Sequence, residues 1–439
     1  MDRKSTLKIA LATLGCKTNQ SDAASLKAEL LFRGHEIVSF QQSADVYIIH
    51  TCTVTQKTDY QSRQLIRRAI AKNPEARIIA TGCYAQLSPE SLRAIPGVDL
   101  VVGIGEREKI PELVTLKTKL REARLLSSPI EERRFFEEGR LPFWENRTRA
   151  YLKVQDGCNS YCSYCLVPYA RGRSRSLPLE RAIGQLRALV SQGFKEIVLT
   201  GIHLGTYGED LVPPHSLWQL LQKLERESEG ARVRLSSIEP GEFHSSLVSF
   251  LANSEKVCSH LHIPLQSGDD GILQRMNRNY SRTFFEDLIN QLVQAIPGLA
   301  VGVDVISGFP GEDEKAFRNT VDLIERLPLA YLHVFPFSPR KGTPAGSFSR
   351  QVPFQVAKVR CQTLRDLGAR KRRNFYEAFL GKKLKVLLES KKDPETGMLK
   401  GYSQNYIPVL LPAGDEHINR ELEVELSEIR GEKVFGKIL

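Results

Sequence analysis

A chain of 439 residues, 41% hydrophobic and 26% charged, is long enough for two or three separately cored domains and has the composition of a globular protein, not a disordered or fibrous one. It contains no uncharged apolar run of membrane-spanning length and no secretory leader pattern, so no membrane association and a cytoplasmic location are expected. Eight cysteines over this length are too sparse for a disulfide scaffold, and a net charge of +11 with a pI near 9.2 favours an acidic partner, nucleic acid first.

Between residues 7 and 116, the apolar runs LKIALATLG, ADVYIIHTC and ARIIATGC alternate with the helical patterns SDAASLKAELLFRG and DYQSRQLIRRAIAKN. That alternation predicts a parallel sheet flanked by helices. Cys16, Cys52 and Cys83 each follow one of the strands, and ligands gather at the carboxyl ends of strands in open α/β sheets. Three thiols far apart in the chain are therefore expected to meet at one rim. Residues 117–149, mixed in charge and broken by Pro142, read as a linker.

From 150 to 373 the alternation of strand and helix patterns resumes, and predicts a partial or full β/α barrel of about six units. It closes on a basic helix: from Lys341 to Arg373 there are nine Lys or Arg and one acidic residue, a net of +8. Residues 374–439 alternate apolar and polar positions between turn signals, which predicts a small antiparallel barrel. Acidic and basic residues balance at ten each from Gly381 to Leu439, so a polyanion would meet local patches there. Fold class is thus α/β: a parallel amino-terminal domain, a central partial β/α barrel and a carboxyl-terminal antiparallel β-barrel.

The densest chemical signal is DGCNSYCSYCLVPYARGR, in which Cys158, Cys162 and Cys165 are spaced C-x3-C-x2-C. Three thiolates facing one centre suit zinc or an iron–sulfur cluster. Structural zinc wants four protein ligands, and the nearest histidine is as far away as His203; a [4Fe-4S] cube can be held at three corners with the fourth iron open. Beyond the loop, Arg171, Arg173 and Arg175 alternate and would point along one side of an extended segment, toward a phosphate or carboxylate. Arg370, Lys371, Arg372 and Arg373 are further candidates for RNA contact.

Small and polar residues follow several predicted strands of the central domain. Gly201, Ser236, Ser237, Glu239, Gln266 and Asp304 are the candidates there for lining a cofactor pocket. His260 and His262 fall on one side of their strand, but no carboxylate partner for either can be named from the sequence. Tyr402 and Tyr406 fit equally the stacking of an RNA base and packing within the small barrel.

On the C-x3-C-x2-C spacing, with Tyr164 just before the last cysteine, the chain resembles the radical S-adenosylmethionine (SAM) enzymes. Over nearly its whole length it is similar to the methylthiotransferases of that family, on TLGCKTNQSDA, IIHTCTVT and TGCYAQ. The resemblance implies one [4Fe-4S] cluster on Cys158, Cys162 and Cys165 whose open iron takes SAM, with Tyr164 on the adenine side, and a second [4Fe-4S] cluster on Cys16, Cys52 and Cys83. It also implies a carboxyl-terminal TRAM-like RNA-binding module, a tRNA anticodon stem–loop as substrate, SAM as both methyl donor and radical source, a cellular electron donor and a sulfur source.

The motifs are most similar to the branch that converts N6-threonylcarbamoyladenosine at tRNA position 37 to its 2-methylthio form, with N6-isopentenyladenosine the neighbouring alternative. Lys17 stands where members acting on a ribosomal protein carry proline. Two other classes remain on the residues alone: a radical enzyme acting on a small metabolite, and a non-catalytic iron–sulfur protein that binds RNA.

Overall fold

A computed structural model of the chain describes residues 6–116, 119–142, 144 and 147–439. Of the linker expected over 117–149, residues 117, 118, 143, 145 and 146 lie outside the described residues, as do residues 1–5 of the amino terminus. The chain divides into two compact units that do not follow chain order: Met1–Trp144 with Gln155–Leu177 and Ser338–Gly346 form one, and Glu145–Val154, Pro178–Phe337 and Ser347–Leu439 the other. In this division the three-cysteine segment packs with the amino-terminal sheet.

The first unit is built on β1 (Lys8–Thr13), β2 (Glu36–Val38), β3 (Val46–Thr51), β4 (Arg77–Gly82), β5 (Leu100–Val102) and β6 (Arg124–Leu126). All pair in parallel, in the order β2-β1-β3-β4-β5-β6. β3 and β4 are buried at every position, the run of apolar residues that a sheet covered on both faces requires. The main covering helices are α1 (Lys17–Phe32) and α2 (Gln56–Lys72), with the short α3 (Cys83–Leu87), α4 (Pro89–Arg93) and α5 (Ile110–Leu113). Thr55 starts α2 in a reciprocal cap with Thr58: each backbone N–H is bonded by the other's hydroxyl.

β7 (Arg149–Lys153) opens the second unit. Next, the two-residue strands β8 (Gln155–Asp156) and β9 (Arg175–Ser176) pair antiparallel in the first unit, with α6 (Val167–Arg171) between them. The second unit continues with β10 (Glu196–Thr200), β11 (Arg232–Leu235), β12 (His260–His262), β13 (Ala300–Ser307) and β14 (Tyr331–Pro336). β7, β10 and β11 form one parallel sheet and β12, β13 and β14 another. A parallel bridge from Val233 to Val257 and the bond from Ile238 N to His262 O join them. The outcome is the partial barrel of six strands.

Helices α7 (Leu179–Ser191), α8 (Leu217–Glu227), α9 (Ser245–Asn253), α10 (Asp270–Arg275), α11 (Arg282–Ala295) and α12 (Glu314–Arg326) alternate with those strands. Side chains of Ser216, Asp269, Ser281 and Asp313 cap four of them. The basic helix α13 (Phe354–Glu377) starts just after Pro353 and runs past the expected domain boundary at 373. β15 (Lys383–Lys392), β16 (Leu399–Ser403), β17 (Pro408–Leu411), β18 (Glu421–Arg430) and β19 (Lys433–Ile438) then close a five-stranded barrel in the order β15-β16-β17-β19-β18. Its core is aliphatic, with Val386, Leu388, Leu399, Val409, Leu411, Val424 and Leu426 fully buried. No described helix is long and apolar enough to cross a membrane.

Candidate active site

In the first unit, Cys16, Cys52 and Cys83 stand just beyond the carboxyl ends of β1, β3 and β4, three strands that are neighbours in the sheet. The chain turns toward this rim at Gly15, whose φ of +102° suits glycine; a β-carbon there would lie 2.9 Å from Cys52 Sγ. Cys16 occupies the N-cap position of α1 without its side chain bonding a helix N–H. Cys52 and Cys83 are buried. Burial pushes the Cys83 thiol up to about 12 against the pull of Arg171, with Cys52 and Cys16 adding to the rise, and burial likewise raises Cys52. Three thiols at one rim of the sheet, none in a disulfide, are of the type that suits a soft metal centre.

The second cysteine set lies in the same unit. Asp156 and Arg175 pair across β8 and β9, and between them the chain loops through Cys158, Cys162 and Cys165. Gly157, at φ +77°, admits the close return of the chain: a β-carbon there would stand 1.9 Å from Arg173 O. Cys158 N donates to Gly172 O at 3.0 Å and Cys165 N to Cys162 O at 2.9 Å. The sulfurs accept backbone bonds, Cys158 Sγ from Ser160 N and Cys165 Sγ from Val167 N, both at 3.4 Å. Such N–H to sulfur bonds stabilise the charge of cluster-bound thiolates. Tyr164 is half-buried within the loop.

Between the two sets is a buried polar network. Arg171, fully buried, donates to Asp156 Oδ1 at 2.7 Å, Asn19 Oδ1 at 2.5 Å and Asp22 Oδ2 at 3.0 Å. Asn19 also donates to Leu14 O and Thr51 O, at the ends of β1 and β3, and its Oδ1 is 3.9 Å from Cys83 Sγ. Arg340, from the segment 338–346, donates at 2.6 Å to both Thr53 Oγ1 and Asp59 Oδ2, beside Cys52, and Ala345 N donates to Ser163 O at 2.8 Å, beside Cys162. The expectation of an exposed arginine row is corrected here. Arg171 and Arg175 are buried, because Gly172 at φ +73° breaks the extended run that alternate spacing assumes, and Arg173 alone of the three is exposed.

In the second unit, the named pocket residues sit at or just past strand ends. Gly201 follows β10 directly, and Ser236 and Ser237 follow β11. Ser236 Oγ and Gln266 Oε1 are buried with no hydrogen-bond partner among the described residues. Gln266 also holds a left-handed backbone at φ +62°, with its N bonded to Asp304 O and its O accepting from Ile306 N, the kind of strain that concentrates at ligand sites. Glu239 is gripped by both guanidinium nitrogens of Arg278, one at 3.2 Å. Burial raises its carboxyl, and Arg278 works against that rise. Ser237 Oγ is 2.8 Å from His262 Nδ1, and Asp304 Oδ1 lies 3.2 Å from His262 Nε2 and 3.3 Å from His333 Nδ1. Asp304 is thus the carboxylate beside His262 that the sequence did not reveal. Buried polar atoms without a partner fit a polar cofactor such as SAM.

The basic helix is only partly available to a ligand. Lys371 Nζ donates to Glu325 O and Leu327 O at 2.6 and 2.7 Å, closing the end of α12, so this member of the expected RNA set is engaged structurally. Arg370 and Arg373 are exposed and make surface pairs with Glu325 at 3.3 Å and Glu377 at 2.8 Å. Arg372 is half-buried beside Tyr402 and Tyr406. Those two rings stack at 5.0 Å, Arg149 lies over both, and Arg234 and His260 meet Tyr406.

Residues 8–103 match the uncharacterized protein family UPF0004, and residues 152–324 match the radical SAM superfamily. Among solved structures, the chain is similar to the radical SAM methyltransferase TsrM from Kitasatospora setae, at TM-score 0.58 and 14% identity, over 78% of this chain and 77% of that one. It is also similar to the cobalamin-dependent radical SAM enzyme OxsB, at TM-score 0.53 and 13% identity, over 85% and 56%; at these identities the likeness concerns the fold. A radical SAM enzyme, with one iron–sulfur cluster and SAM as cofactors, is the class that the barrel and the three-cysteine loop define. The threonylcarbamoyladenosine tRNA methylthiotransferases MtaB of Bacillus subtilis, 42% identical over 95% of this chain and 93% of the relative, and of Aquifex aeolicus, 39% over 87% and 93%, extend the likeness along the chain. The tRNA-2-methylthio-N(6)-dimethylallyladenosine synthase of Moorella thermoacetica is 32% identical over 99% of each. The chain belongs to the MtaB family of radical SAM methylthiotransferases.

Sequence reasoning missed Asn19, Asp22, Asp156, Arg278, His333 and Arg340. One signal was present for two of them: α1 begins with Thr18, Asn19, Ser21 and Asp22, polar residues that are all buried. A polar stretch directly after a candidate ligand marks a shell around it.

Proposed function

We propose that this chain methylthiolates tRNA, converting N6-threonylcarbamoyladenosine beside the anticodon to its 2-methylthio derivative. The observation that carries the reading is the presence of two separate three-cysteine sets in one compact unit, with Arg171 and Asn19 between them. The substrate follows the relatives, whose names specify threonylcarbamoyladenosine in tRNA at 34–42% identity.

Cys158, Cys162 and Cys165 would hold the SAM-binding [4Fe-4S] cluster, and Cys16, Cys52 and Cys83 a second [4Fe-4S] cluster that accepts the incoming sulfur. When bound, these clusters and SAM supply hydrogen abstraction from an unreactive aromatic C–H bond, the sulfur and the methyl group. The protein's part is to hold and orient. Ser236 and Gln266 offer free acceptors to the polar groups of SAM; Arg278 keeps the Glu239 carboxylate in place; and Arg171 fixes the loop of one cysteine set to the helix that follows Cys16. Exposed Arg173, Arg370 and Arg373 and the closed TRAM-like barrel supply phosphate contacts, which give affinity, while selection of the base falls to the pocket. A cellular electron donor and a sulfur source complete the cycle.

The reading is tested by nucleoside mass analysis of tRNA from cells with and without the protein. It requires the 2-methylthio form of threonylcarbamoyladenosine to disappear with the protein. Loss of the 2-methylthio form of isopentenyladenosine instead would move the substrate to the neighbouring branch, and unchanged tRNA would overturn the reading.

A further inference from the structure

Strands β12, β13 and β14 place three metal-ligating side chains at one point on the inner face of the partial barrel. Asp304 and His333 are direct partners in the β13–β14 register, and His262 ends β12 opposite Gly302, two residues before Asp304. Neighbours in sequence point the other way: Val303, Val305 and Leu332 are buried, as alternation along a strand dictates. The donor atoms of the three residues all lie within 4.8 Å of one another.

Ser237 and Asp304 approach opposite nitrogens of the His262 ring. His262 Nδ1 is 2.8 Å from Ser237 Oγ, while its Nε2 is buried, forms no hydrogen bond and lies 3.2 Å from Asp304 Oδ1. A neutral imidazole carries one N–H. Ser237 can accept from Nδ1 or donate to it, and His333 Nδ1 bonds the same Asp304 oxygen at 3.3 Å. Nitrogen and oxygen donors of three side chains thus converge on one point that a cation can occupy.

The spacing suits a metal ion. Bonds of about 2.0–2.2 Å from a divalent ion to nitrogen and oxygen put neighbouring ligands of a tetrahedral or octahedral centre roughly 3.0–3.5 Å apart, the range in which the two measured separations to Asp304 Oδ1 fall. Two imidazoles and one carboxylate form a set taken by divalent first-row ions with positions left open, and Ser237 would orient His262 from behind as an outer partner. His333 is half-exposed, with 52% of its side chain accessible, so an ion and a further oxygen ligand can reach the site.

We propose that His262, Asp304 and His333 form a divalent-cation site on the inner face of the barrel, distinct from both cysteine sets, with open positions for an anionic oxygen of a bound ligand. The site does not depend on which nucleoside is the substrate. The experiment uses the holoenzyme, both clusters loaded anaerobically, washed with EDTA and desalted, then titrated with Mn2+ while free Mn2+ is read by room-temperature EPR. Mn2+ prefers oxygen and nitrogen to thiolate, which keeps it off the cysteines. One saturable site per chain is expected, weakened about tenfold or more by H333A and by D304N, and by a smaller factor by S237A, at unchanged iron content. Because His333 is half-exposed, H333A tests the site without leaving a buried group unpaired. Absence of a saturable Mn2+ site in the wild type, or a site that keeps wild-type affinity in both H333A and D304N, would overturn the proposal.

Discussion

Arg171 Nη2 lies 3.0 Å from Asp22 Oδ2, joining the end of the three-cysteine loop to the helix that begins at Cys16 across 149 positions of sequence. Both side chains are buried, and Asp156 and Arg107 complete the charge balance, the latter 2.7 Å from Asp22. A buried ion pair adds little net stability while intact, but removing one partner strands the others in low dielectric.

Arg171→Met is therefore expected to cost about 3–5 kcal/mol, as for other broken buried pairs, and to lower iron retention at both cysteine sets. Arg171→Lys should lose less, since it keeps the charge but not the planar fork that reaches three acceptors. Denaturant unfolding with iron analysis checks this; wild-type stability in Arg171→Met would remove Arg171 from its organising role.

A second buried charge cluster predicts how the barrel responds to acid. Glu196, fully buried, is held by Arg234 at 2.8 Å and Arg232 at 2.7 Å, with Arg149 at 3.8 Å. Burial pushes its carboxyl up, but Arg234, Arg232 and Arg149 outweigh that and hold it well below the usual range. With the folded value depressed, the stabilisation is complete above the unfolded value of about 4.3 and is lost as pH falls toward the folded one. Glu196→Gln should lower stability at neutral pH and flatten the acid limb of the stability curve. An acid limb equal to the wild type's would contradict this.

RNA binding separates the members of the basic helix. Arg373→Ala, at an exposed position, should reduce the slope of log affinity against log salt by about one for each phosphate the side chain neutralises and leave stability nearly unchanged. Lys371→Ala should do the reverse, because its ammonium closes α12. Equal salt slopes in wild type and Arg373→Ala would place the RNA elsewhere.

The cysteines were legible because their chemistry lies in type and local spacing: C-x3-C-x2-C needs no folding to be seen, and three single cysteines each at a strand end follow from the strand pattern. A barrel of about six β/α units and a small carboxyl-terminal barrel followed from periodicity, whereas the parallel pairing of β17 with β19 in the latter did not. What surrounds the cysteines did not, because it is long-range. Arg340 meets Asp59 across 281 positions, and no local pattern encodes that pairing. The alternate arginines 171, 173 and 175 misled for a definable reason: a period of two holds only in extended chain, and Gly172 turns it. Lys371 looked like a ligand contact because charge in a sequence does not show which charges are already engaged by carbonyls at a helix end.

Whether each cysteine set holds its own cluster is tested most directly by iron counting after anaerobic reconstitution. About eight iron atoms per chain are expected in the wild type, and about four either when Cys158, Cys162 and Cys165 or when Cys16, Cys52 and Cys83 are replaced by alanine. Zinc in place of iron at the C-x3-C-x2-C loop, or all eight iron atoms retained in either triple variant, would contradict it.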